Sequence, residues 1–426
     1  MIDIKLLRES PKTVKEALGR RLTDLGGVLD RLSELDTRRR TVLKSVEALK
    51  AERNRASNDV AECKRTGSDA SGLLETLKNT SAEIRQYDSE LSVVEKELKE
   101  LSLRIPNLPL PGIPDGDEGG NEIIRTWGEQ PSFDFEPHTH WDVGADLGIL
   151  DLPRGAKITG SGFPVFIGLG ARLVRALQNF MMDLHTDEHG YTEVVPPHLV
   201  SAETATCTGQ LPDLERDMYL TEDGLYLIPT AEIPVTNLHR DEILDANELP
   251  KAYVAFTPCY RREAGAHGRD TRGIIRVHQF DKVELVRICT PETSNDELEL
   301  LLGHAETVLQ RLELPYRVVA LAAGEIGFAS AKTYDLEVWA AGVGKWLEVS
   351  SASTFTDFQA RRAKIRYRPR KGDKPEFTHT LNASGVAFPR TIIALLENNQ
   401  QADGSVVVPD ALVPYFGSNC IAAGAT

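Results

Sequence analysis

A basic segment, residues 257–284, carries the side chains of this sequence that are best suited to bind an anion. Although the 426-residue chain has a net charge of −15, five arginines fall within sixteen residues: Arg261, Arg262, Arg269, Arg272 and Arg276. Arginine suits phosphate because its planar guanidinium donates two parallel hydrogen bonds. A charged loop that is only solvated is the simplest alternative.

The residues that flank the loop predict two antiparallel strands with one shared face. Residues 253–256 indicate the first strand and residues 274–286 the second. Arg261 and Glu263 are two apart, and Phe280 and Glu284 are four apart, so each pair lies on one face of its strand. This face suits a nucleotide, since arginine binds phosphate and an aromatic ring stacks on a base.

Three further segments place polar side chains at element boundaries. Thr230 and Glu232 follow an extended run that ends at a proline, where they fit a polar pocket or the capped first turn of a helix. Glu348 and Ser351 offer the oxygen ligands that Mg²⁺ prefers, although an exposed edge strand has the same pattern. Arg390 lies near a predicted helix start, where it fits an anion site or an ordinary surface ion pair.

Two stretches of alternating four- and three-residue apolar spacing predict an antiparallel helical hairpin. The seams run through residues 28–63 and 73–105, with a turn at 66–69. Each helix spans about 35 residues, so the hairpin reaches roughly 50 Å. Residues 31–65 carry ten Lys or Arg against six Asp or Glu, which favours contact with RNA phosphate, and a dimerisation coil is the alternative.

Composition argues against several classes of protein. No run of about 18 apolar residues predicts a membrane span, and the N-terminus lacks the apolar core of a signal peptide. Five scattered cysteines fit a reducing cytoplasm without a zinc site. We expect a cytoplasmic enzyme with no membrane or DNA partner, because the acidic balance disfavours indiscriminate nucleic-acid binding.

In order along the chain, these segments resemble the seryl-tRNA synthetases, a family of class II aminoacyl-tRNA synthetases. Residues 170–197 resemble motif 1, residues 257–284 motif 2 and residues 380–391 motif 3. The resemblance implies an α+β fold, with a class II catalytic domain built on an antiparallel sheet and an N-terminal antiparallel two-helix coiled-coil arm. It places the tRNA-binding arm domain at 1–112, its coiled coil at 28–105 and the catalytic domain at 113–426.

The resemblance also implies an activity and its partners. Such a ligase activates L-serine with ATP and Mg²⁺ to seryl-adenylate and transfers serine to the 3′ end of tRNA(Ser), with tRNA(Sec) as a further acceptor. Motif 1 implies a homodimer, and the loop 264–273 would meet the acceptor end of the tRNA.

The site roles that the resemblance implies fall into three sets, with Arg261 and Arg390 as the catalytic residues on the α- and γ-phosphates. The implied serine site is Thr230, Ala231, Glu232, Arg261, Glu284, Asn382 and Ser384. The implied ATP site is Arg261, Arg262, Glu263, Phe280, Glu348, Val349, Ser350, Ser351 and Arg390. Glu348 and Ser351 would hold Mg²⁺.

Three rival functions stay open: a related enzyme that loads an amino acid onto a carrier protein, a non-catalytic coiled-coil adaptor, and a class II synthetase for another amino acid. The tRNA-type arm argues against the first. Retention of Arg261, Glu348 and Arg390 argues against the second. The side chains implied for serine argue against the third.

Overall fold

The computed structural model describes residues 1–264 and 272–423 and divides into two compact units. The first unit comprises Met1–Gly19 and Thr23–Pro106, and the second comprises Arg20–Leu22 and the chain from Asn107 onward. The predicted domain boundary between residues 112 and 113 stays a prediction. No helix in the described parts of the chain is both long and apolar enough to cross a membrane.

The first unit is a helical hairpin preceded by two short helices. Its helices are α1 (Ile4–Glu9), α2 (Pro11–Gly19), α3 (Gly26–Thr66) and α4 (Ser71–Ser102). The predicted seams are confirmed, since every predicted seam residue is buried or half-buried, Leu32 and Ile84 almost completely. The turn also forms as predicted, because Gly67 takes the left-handed conformation (φ +72°) and the carboxylate of Asp69 accepts from the backbone N–H of Ser71 at 2.9 Å. Helix α4 ends at Ser102, whereas the predicted seam continues for three more residues, to residue 105.

The second unit contains the remaining helices and all the strands. Its helices are α5 (His140–Asp146), α6 (Leu152–Ile158), α7 (Leu169–Asp183), α8 (Ala202–Thr208), α9 (Glu232–Thr236), α10 (Ser294–Arg311), α11 (Phe358–Ala363), α12 (Phe388–Asn398) and α13 (Val413–Phe416). A π-helical turn, Leu184–Glu188, continues α7, and short 3₁₀ turns occur at Glu118–Gly120, Glu215–Asp217, Asn237–His239, Ala246–Glu248, Pro291–Thr293 and Asp410–Leu412.

The strands form one large antiparallel-dominated sheet and several small ones. They are β1 (Glu122–Trp127), β2 (Leu150–Asp151), β3 (Val165–Phe166), β4 (Thr192–Glu193), β5 (Leu199–Val200), β6 (Tyr226–Leu227), β7 (Ile243–Asp245), β8 (Lys251–Tyr260), β9 (Gln279–Cys289), β10 (Tyr316–Ala320), β11 (Lys332–Ala340), β12 (Lys345–Thr354), β13 (Arg366–Arg368), β14 (Glu376–Phe377), β15 (His379–Ala387), β16 (Val406–Val407) and β17 (Cys420–Ile421). The large sheet has the order β1-β10-β11-β12-β15-β9-β8-β4, and only the β4–β8 pair is parallel.

The large sheet buries one face in the main hydrophobic core. Side chains of α7, α10 and α12 share this core with alternate residues of the central strands, such as Val283 and Leu285 of β9. Since side chains alternate along a strand, Lys282 and Glu284 point to the opposite face. The strands β9, β15 and β12 therefore carry a polar floor on the side away from these helices.

Candidate active site

The hairpin predicted from the sequence is present, with different ends. Strand β8 ends at Tyr260 and β9 begins only at Gln279, so Arg261 and Glu263 follow the strand rather than lying on it, and residues 274–278 are not part of a strand. The prediction of those strand ends was wrong. The backbone N–H of Arg261 still donates to the carbonyl of His278 at 2.9 Å, and the chain then turns at Glu263, whose backbone lies in the left-handed region (φ +49°) that extended residues do not adopt. Of the loop 264–273, residues 265–271 lie outside the described residues.

Three adjoining cavities open over the polar floor. The ring-side cavity, of about 190 Å³, is lined by Phe280, Val349 and Arg390 among others. The carboxylate cavity, of about 300 Å³, is lined by residues that include Glu232 and Asn382. An outer cavity of about 500 Å³ lies next to Glu232 as well. Arg261 lines all three cavities.

Thr230, Ala231 and Glu232 form a buried corner of the site. The backbone N–H of Glu232 donates to Oγ1 of Thr230 at 3.2 Å, and Glu232 opens helix α9. The segment therefore provides both a helix start and part of the pocket. The N-cap residue is Ala231, without a side-chain cap, so the alternative in which Thr230 is the cap residue is wrong. Ala231 is completely buried and closes the corner from behind.

Glu232 is held by two amides. Nε2 of Gln359 donates to Oε1 of Glu232 at 2.6 Å, and Nε2 of Gln210 approaches Oε2 at 3.4 Å. Burial, and then the nearby charge of Glu284, raises the pKa of the Glu232 carboxyl to about 7. A carboxylate of this kind can bind a substrate ammonium, because a cation restores its ionised form.

Glu284 lies fully buried at the centre of the polar floor. Nδ2 of Asn382 donates to its Oε1 at 2.6 Å, and Nζ of Lys282 lies 2.6 Å from its Oε2. Ser384 is its partner residue across the β15–β9 pair, next to a register shift. The structure thus brings Glu284, Asn382 and Ser384 together although they lie on strands far apart in sequence.

Arg261 and Phe280 stack in the ring-side cavity. The guanidinium carbon of Arg261 lies 5.2 Å from the centroid of the Phe280 ring, and its Nε donates to the carbonyl of Pro229 at 3.4 Å. Glu263 is held beside them by an ion pair with Arg276 at 3.2 Å. An aromatic ring, a guanidinium and a carboxylate therefore face one small cavity.

Arg390 and Glu348 face each other across the same cavity. Nη1 of Arg390 donates to the carbonyl of Glu348 at 2.7 Å, and its Nε donates to the carbonyl of Ile275 at 3.1 Å. The Glu348 carboxylate lies 3.6 Å from Nη1 and is about half exposed. It is therefore only loosely paired and free to turn toward a cation.

Ser350 and Ser351 point in different directions from strand β12. The hydroxyl of Ser350 donates to the carbonyl of Ser384 at 2.6 Å, and the hydroxyl of Ser351 donates to Oδ1 of Asp335 at 2.5 Å. Burial, and then the charge of Glu348, raises the pKa of Asp335 well above its usual range. Oxygen ligands of this kind fit Mg²⁺, because a bound cation favours the ionised form of a neighbouring carboxyl group.

Arg262 departs from the other predicted site residues. Its side chain turns away from the ring-side cavity, and its guanidinium carbon lies 5.5 Å from the centroid of the Tyr219 ring. Its proposed contact with ATP stays a prediction. Ala231, Glu284 and Ser350 are buried and line none of the three cavities, and each of the remaining predicted residues lines at least one of them.

Sequence reasoning missed Lys282, Gln359 and Asp335. Lys282 shares the period-two alternation with Phe280 and Glu284, so its place on the floor was readable from the sequence. Gln359 contacts Glu232 across 127 positions of the chain, and Asp335 contacts Ser351 across 16 positions. No local pattern marks either residue.

Comparisons with known proteins agree with this geometry. Residues 1–109 match the family described as the seryl-tRNA synthetase N-terminal domain, and residues 216–399 match the tRNA synthetase class II core domain (G, H, P, S and T). The serine–tRNA ligase of Gemmatimonas aurantiaca is 56% identical over 425 residues, which cover 99% of this chain and 100% of the relative.

Solved structures with the same architecture cover the whole chain. A seryl-tRNA synthetase from Pyrococcus horikoshii complexed with ATP has a TM-score of 0.94 and 38% identity, with 100% of both chains covered. A cytoplasmic serine–tRNA ligase from Naegleria fowleri in complex with AMP has a TM-score of 0.89 and 29% identity, with 100% of this chain and 99% of the other covered.

The antiparallel sheet, with its arginine-lined cavities, is that of a class II aminoacyl-tRNA synthetase, and the predicted α+β fold with a helical arm is confirmed. Sequence identity to a serine–tRNA ligase over the full length of the chain narrows this class to one family. The chain belongs to the seryl-tRNA synthetase family, and its activity is that of a serine–tRNA ligase.

Proposed function

We propose that this ligase forms seryl-adenylate from L-serine and ATP where the three cavities meet, and then transfers serine to tRNA(Ser). The observation that carries the proposal is the position of Arg261, which lines all three of these cavities. Activation requires the serine carboxylate and the α-phosphorus to meet in line, with pyrophosphate as the leaving group. One guanidinium at the junction can hold both reactants and neutralise the charge that develops between them.

The serine pocket is proposed to use one partner for each polar group of the substrate. Glu232 takes the ammonium, Arg261 takes the carboxylate, and Glu284 with Ser384 takes the hydroxyl. Thr230, Ala231 and Asn382 shape the pocket around them. Hydrogen bonding to the hydroxyl discriminates strongly against alanine and glycine, because an analogue without the hydroxyl leaves the buried acceptor unpaired.

The nucleotide is proposed to occupy the ring-side cavity. Phe280 stacks on adenine, Glu263 accepts from its amino group, and Arg390 binds the γ-phosphate. Arg262, Val349 and Ser350 complete the proposed ATP site. The proposal is supported by the loose pairing of Arg390, which leaves donors of its guanidinium available for phosphate.

Mg²⁺ is proposed to bind at Glu348 and Ser351. When bound, it would supply positive charge against the phosphates of ATP. The contribution of the chain is to hold the oxygen ligands in place. Asp335 accepts the hydrogen of the Ser351 hydroxyl at 2.5 Å, so the lone pairs of that oxygen remain for a cation.

Transfer is proposed to follow in the same site. The ribose hydroxyl of the terminal adenosine attacks the carbonyl carbon of seryl-adenylate, and AMP leaves. The helical arm binds tRNA, which its basic first helix supports. We also propose a cytoplasmic homodimer built on α7 and the strand after it.

The experiment is serine-dependent ATP–pyrophosphate exchange with Mg²⁺, run beside threonine, alanine and glycine. Exchange with serine alone supports the proposed site, and the Arg261→Ala variant should abolish it while the fold persists. Arg311→Ala is the matched control, because Arg311 is exposed in an ion pair with Glu188 on the surface. Normal exchange by Arg261→Ala would overturn the assignment, and charging assays with tRNA(Ser) and tRNA(Sec) transcripts test the acceptors.

A further inference from the structure

Lys282 is a buried cation at the bottom of the site. Only 5% of the residue is exposed, and its stem runs along the floor of strand β9. Its ammonium lies 2.6 Å from Oε2 of Glu284 and donates to Oγ1 of Thr230 at 2.9 Å. Burying a lysine is costly unless its charge is paired. Both of its partners belong to the proposed serine pocket.

The ammonium of Lys282 helps to fix the carboxylate of Glu284. Asn382 donates a hydrogen bond to Oε1, and the ammonium of Lys282 forms an ion pair with Oε2, which accepts no hydrogen bond from the described residues. An ionised carboxylate can only accept hydrogen bonds. Its remaining lone pairs therefore need a donor, which the hydroxyl of serine supplies and the methyl group of alanine does not.

Lys282 also sets the direction in which Thr230 donates. Oγ1 of Thr230 accepts from the ammonium of Lys282 and from the backbone N–H of Glu232. Since a hydroxyl has two lone pairs, its own hydrogen must then point elsewhere. Thr230 lines the carboxylate cavity, where a substrate carboxylate oxygen can accept that hydrogen.

A third effect concerns the charges of the pocket. Glu232 and Glu284 are two carboxylates close enough for the charge of one to act on the other. Pairing of Lys282 with Glu284 neutralises one of them. Glu232 is then the carboxylate left for the single ammonium of an amino acid.

We propose that Lys282 is a positioning residue that determines specificity for serine, by holding Glu284 as an ionised acceptor for the substrate hydroxyl. The inference rests on the proposed serine site. Lys282 also lines the ring-side cavity, so direct contact with the nucleotide is the competing role. The two roles differ in which substrate is affected when the ammonium is removed.

The test is the Lys282→Met variant, which keeps the length of the side chain and loses the ammonium. In pyrophosphate exchange, we expect the KM for serine to rise about 10- to 100-fold, in line with the loss of a hydrogen bond to a charged group. The kcat/KM for alanine should fall less than that for serine, because alanine shares the carboxylate and ammonium contacts but not the hydroxyl contact. The KM for ATP should change little, so the preference for serine over alanine falls. An equal loss for serine and alanine, or a rise in the KM for ATP alone, overturns the proposal.

Arg287→Met is the matched control. Arg287 is a buried cation on the same strand, paired with Glu297 and facing away from the site. Its loss removes a buried ion pair and should lower the melting temperature without changing the preference for serine. A matching fall in that preference would show that Lys282→Met acts only through stability, which overturns the proposal.

A second pair of variants keeps the test decisive if Lys282→Met folds poorly. The double variant Lys282→Met with Glu284→Gln removes both charges of this buried ion pair, so neither partner is left charged without the other. Because Lys282 acts through Glu284, the double variant should lose no more serine preference than Glu284→Gln alone, and additive losses overturn the proposal. If Glu284→Gln and Thr230→Ala both leave the KM for serine unchanged, the proposed serine site is wrong. If these two variants raise the KM for serine and Lys282→Met does not, only the proposed role of Lys282 is rejected.

Discussion

The side-chain amide of Gln359 donates to the carboxylate of Glu232 at 2.6 Å, across 127 positions of the chain. Gln359 is itself completely buried, and its carbonyl accepts from the hydroxyl of Thr380 at 2.7 Å, which fixes the direction of the amide. This hydrogen bond favours the ionised form of Glu232, while burial and the charge of Glu284 favour the protonated form. Burial is the larger effect, and it raises the pKa of Glu232 to about 7.

The first prediction is that the use of serine depends on the ionisation of Glu232. Because a neutral carboxyl cannot pair with the substrate ammonium, kcat/KM for serine should rise as pH increases through about 7 in the free enzyme. The measurement is serine-dependent pyrophosphate exchange at pH values on both sides of this pKa. A flat profile for serine would contradict the assignment of Glu232.

The control for this prediction is the Gln359→Leu variant, which removes the amide and nearly keeps the volume. Without the donor, the ionised form of Glu232 loses support, so the rising limb of the profile should move to higher pH. The KM for ATP should stay unchanged. A profile that keeps its midpoint would show that the amide does not act on Glu232.

The sequence alone supplied those parts of the fold that depend on local patterns. The seam of the arm was readable from apolar spacing, because each seam residue packs against its nearest neighbours on the facing helix. The floor of the site was readable from Phe280 and Glu284, because alternation along a strand fixes which side chains share a face. The order of the motifs, through the resemblance to the family, then assigned Thr230, Glu348 and Arg390 to the same site.

The missing parts depend on backbone turns and long-range pairing. The backbone of Glu263 takes a left-handed conformation after the end of β8, and a glutamate does not require that conformation. Asp335 reaches Ser351 because β11 and β12 pair in a register set by a bulge. Such a register follows from the packing of the whole sheet, so the local sequence does not contain it.

The second prediction concerns Asp335 and the response to Mg²⁺. Asp335→Ala removes the acceptor that holds the Ser351 hydroxyl, so the oxygen of Ser351 loses its fixed direction. We expect a several-fold rise in the Mg²⁺ concentration at half-maximal exchange, while the KM for serine changes little. Asp335→Asn is the control, because its amide oxygen can still accept. Equal Mg²⁺ requirements in all three proteins would contradict this positioning role.

The third prediction separates the arm from the site. Arg40, Lys44 and Arg55 are exposed on the basic first helix of the hairpin. Replacing all three with Glu, which reverses their charge, should weaken tRNA binding by about an order of magnitude at low salt. Each phosphate contact that is lost lowers the number of counterions released on binding, and this release favours binding. Serine-dependent exchange without tRNA should be unchanged. Aminoacylation at full efficiency in the reversed variant would show that another surface binds the tRNA.

The last prediction concerns acid stability and a cluster of histidines after α7. Nδ1 of the buried His185 lies 2.9 Å from Nδ1 of His189, and His189 stacks on His304 at 4.0 Å. His304 in turn meets the hydroxyl of Tyr191 at 3.0 Å. Burial, together with repulsion from the neighbouring histidines, lowers the pKa of His185 to about 3, and burial lowers that of His304 to about 4.

Both histidines are therefore neutral in the folded chain at pH values where the unfolded chain would protonate them. They contribute stability above their ordinary pKa of 6.5, and this contribution is lost as pH falls toward 4 and then 3. His185→Phe keeps a ring and removes the titration, so its melting temperature should fall less than that of the natural chain between neutral and mildly acidic pH. His198→Phe is the control, because His198 is exposed. Parallel curves of melting temperature against pH for all three proteins would show that other groups cause the loss of stability in acid.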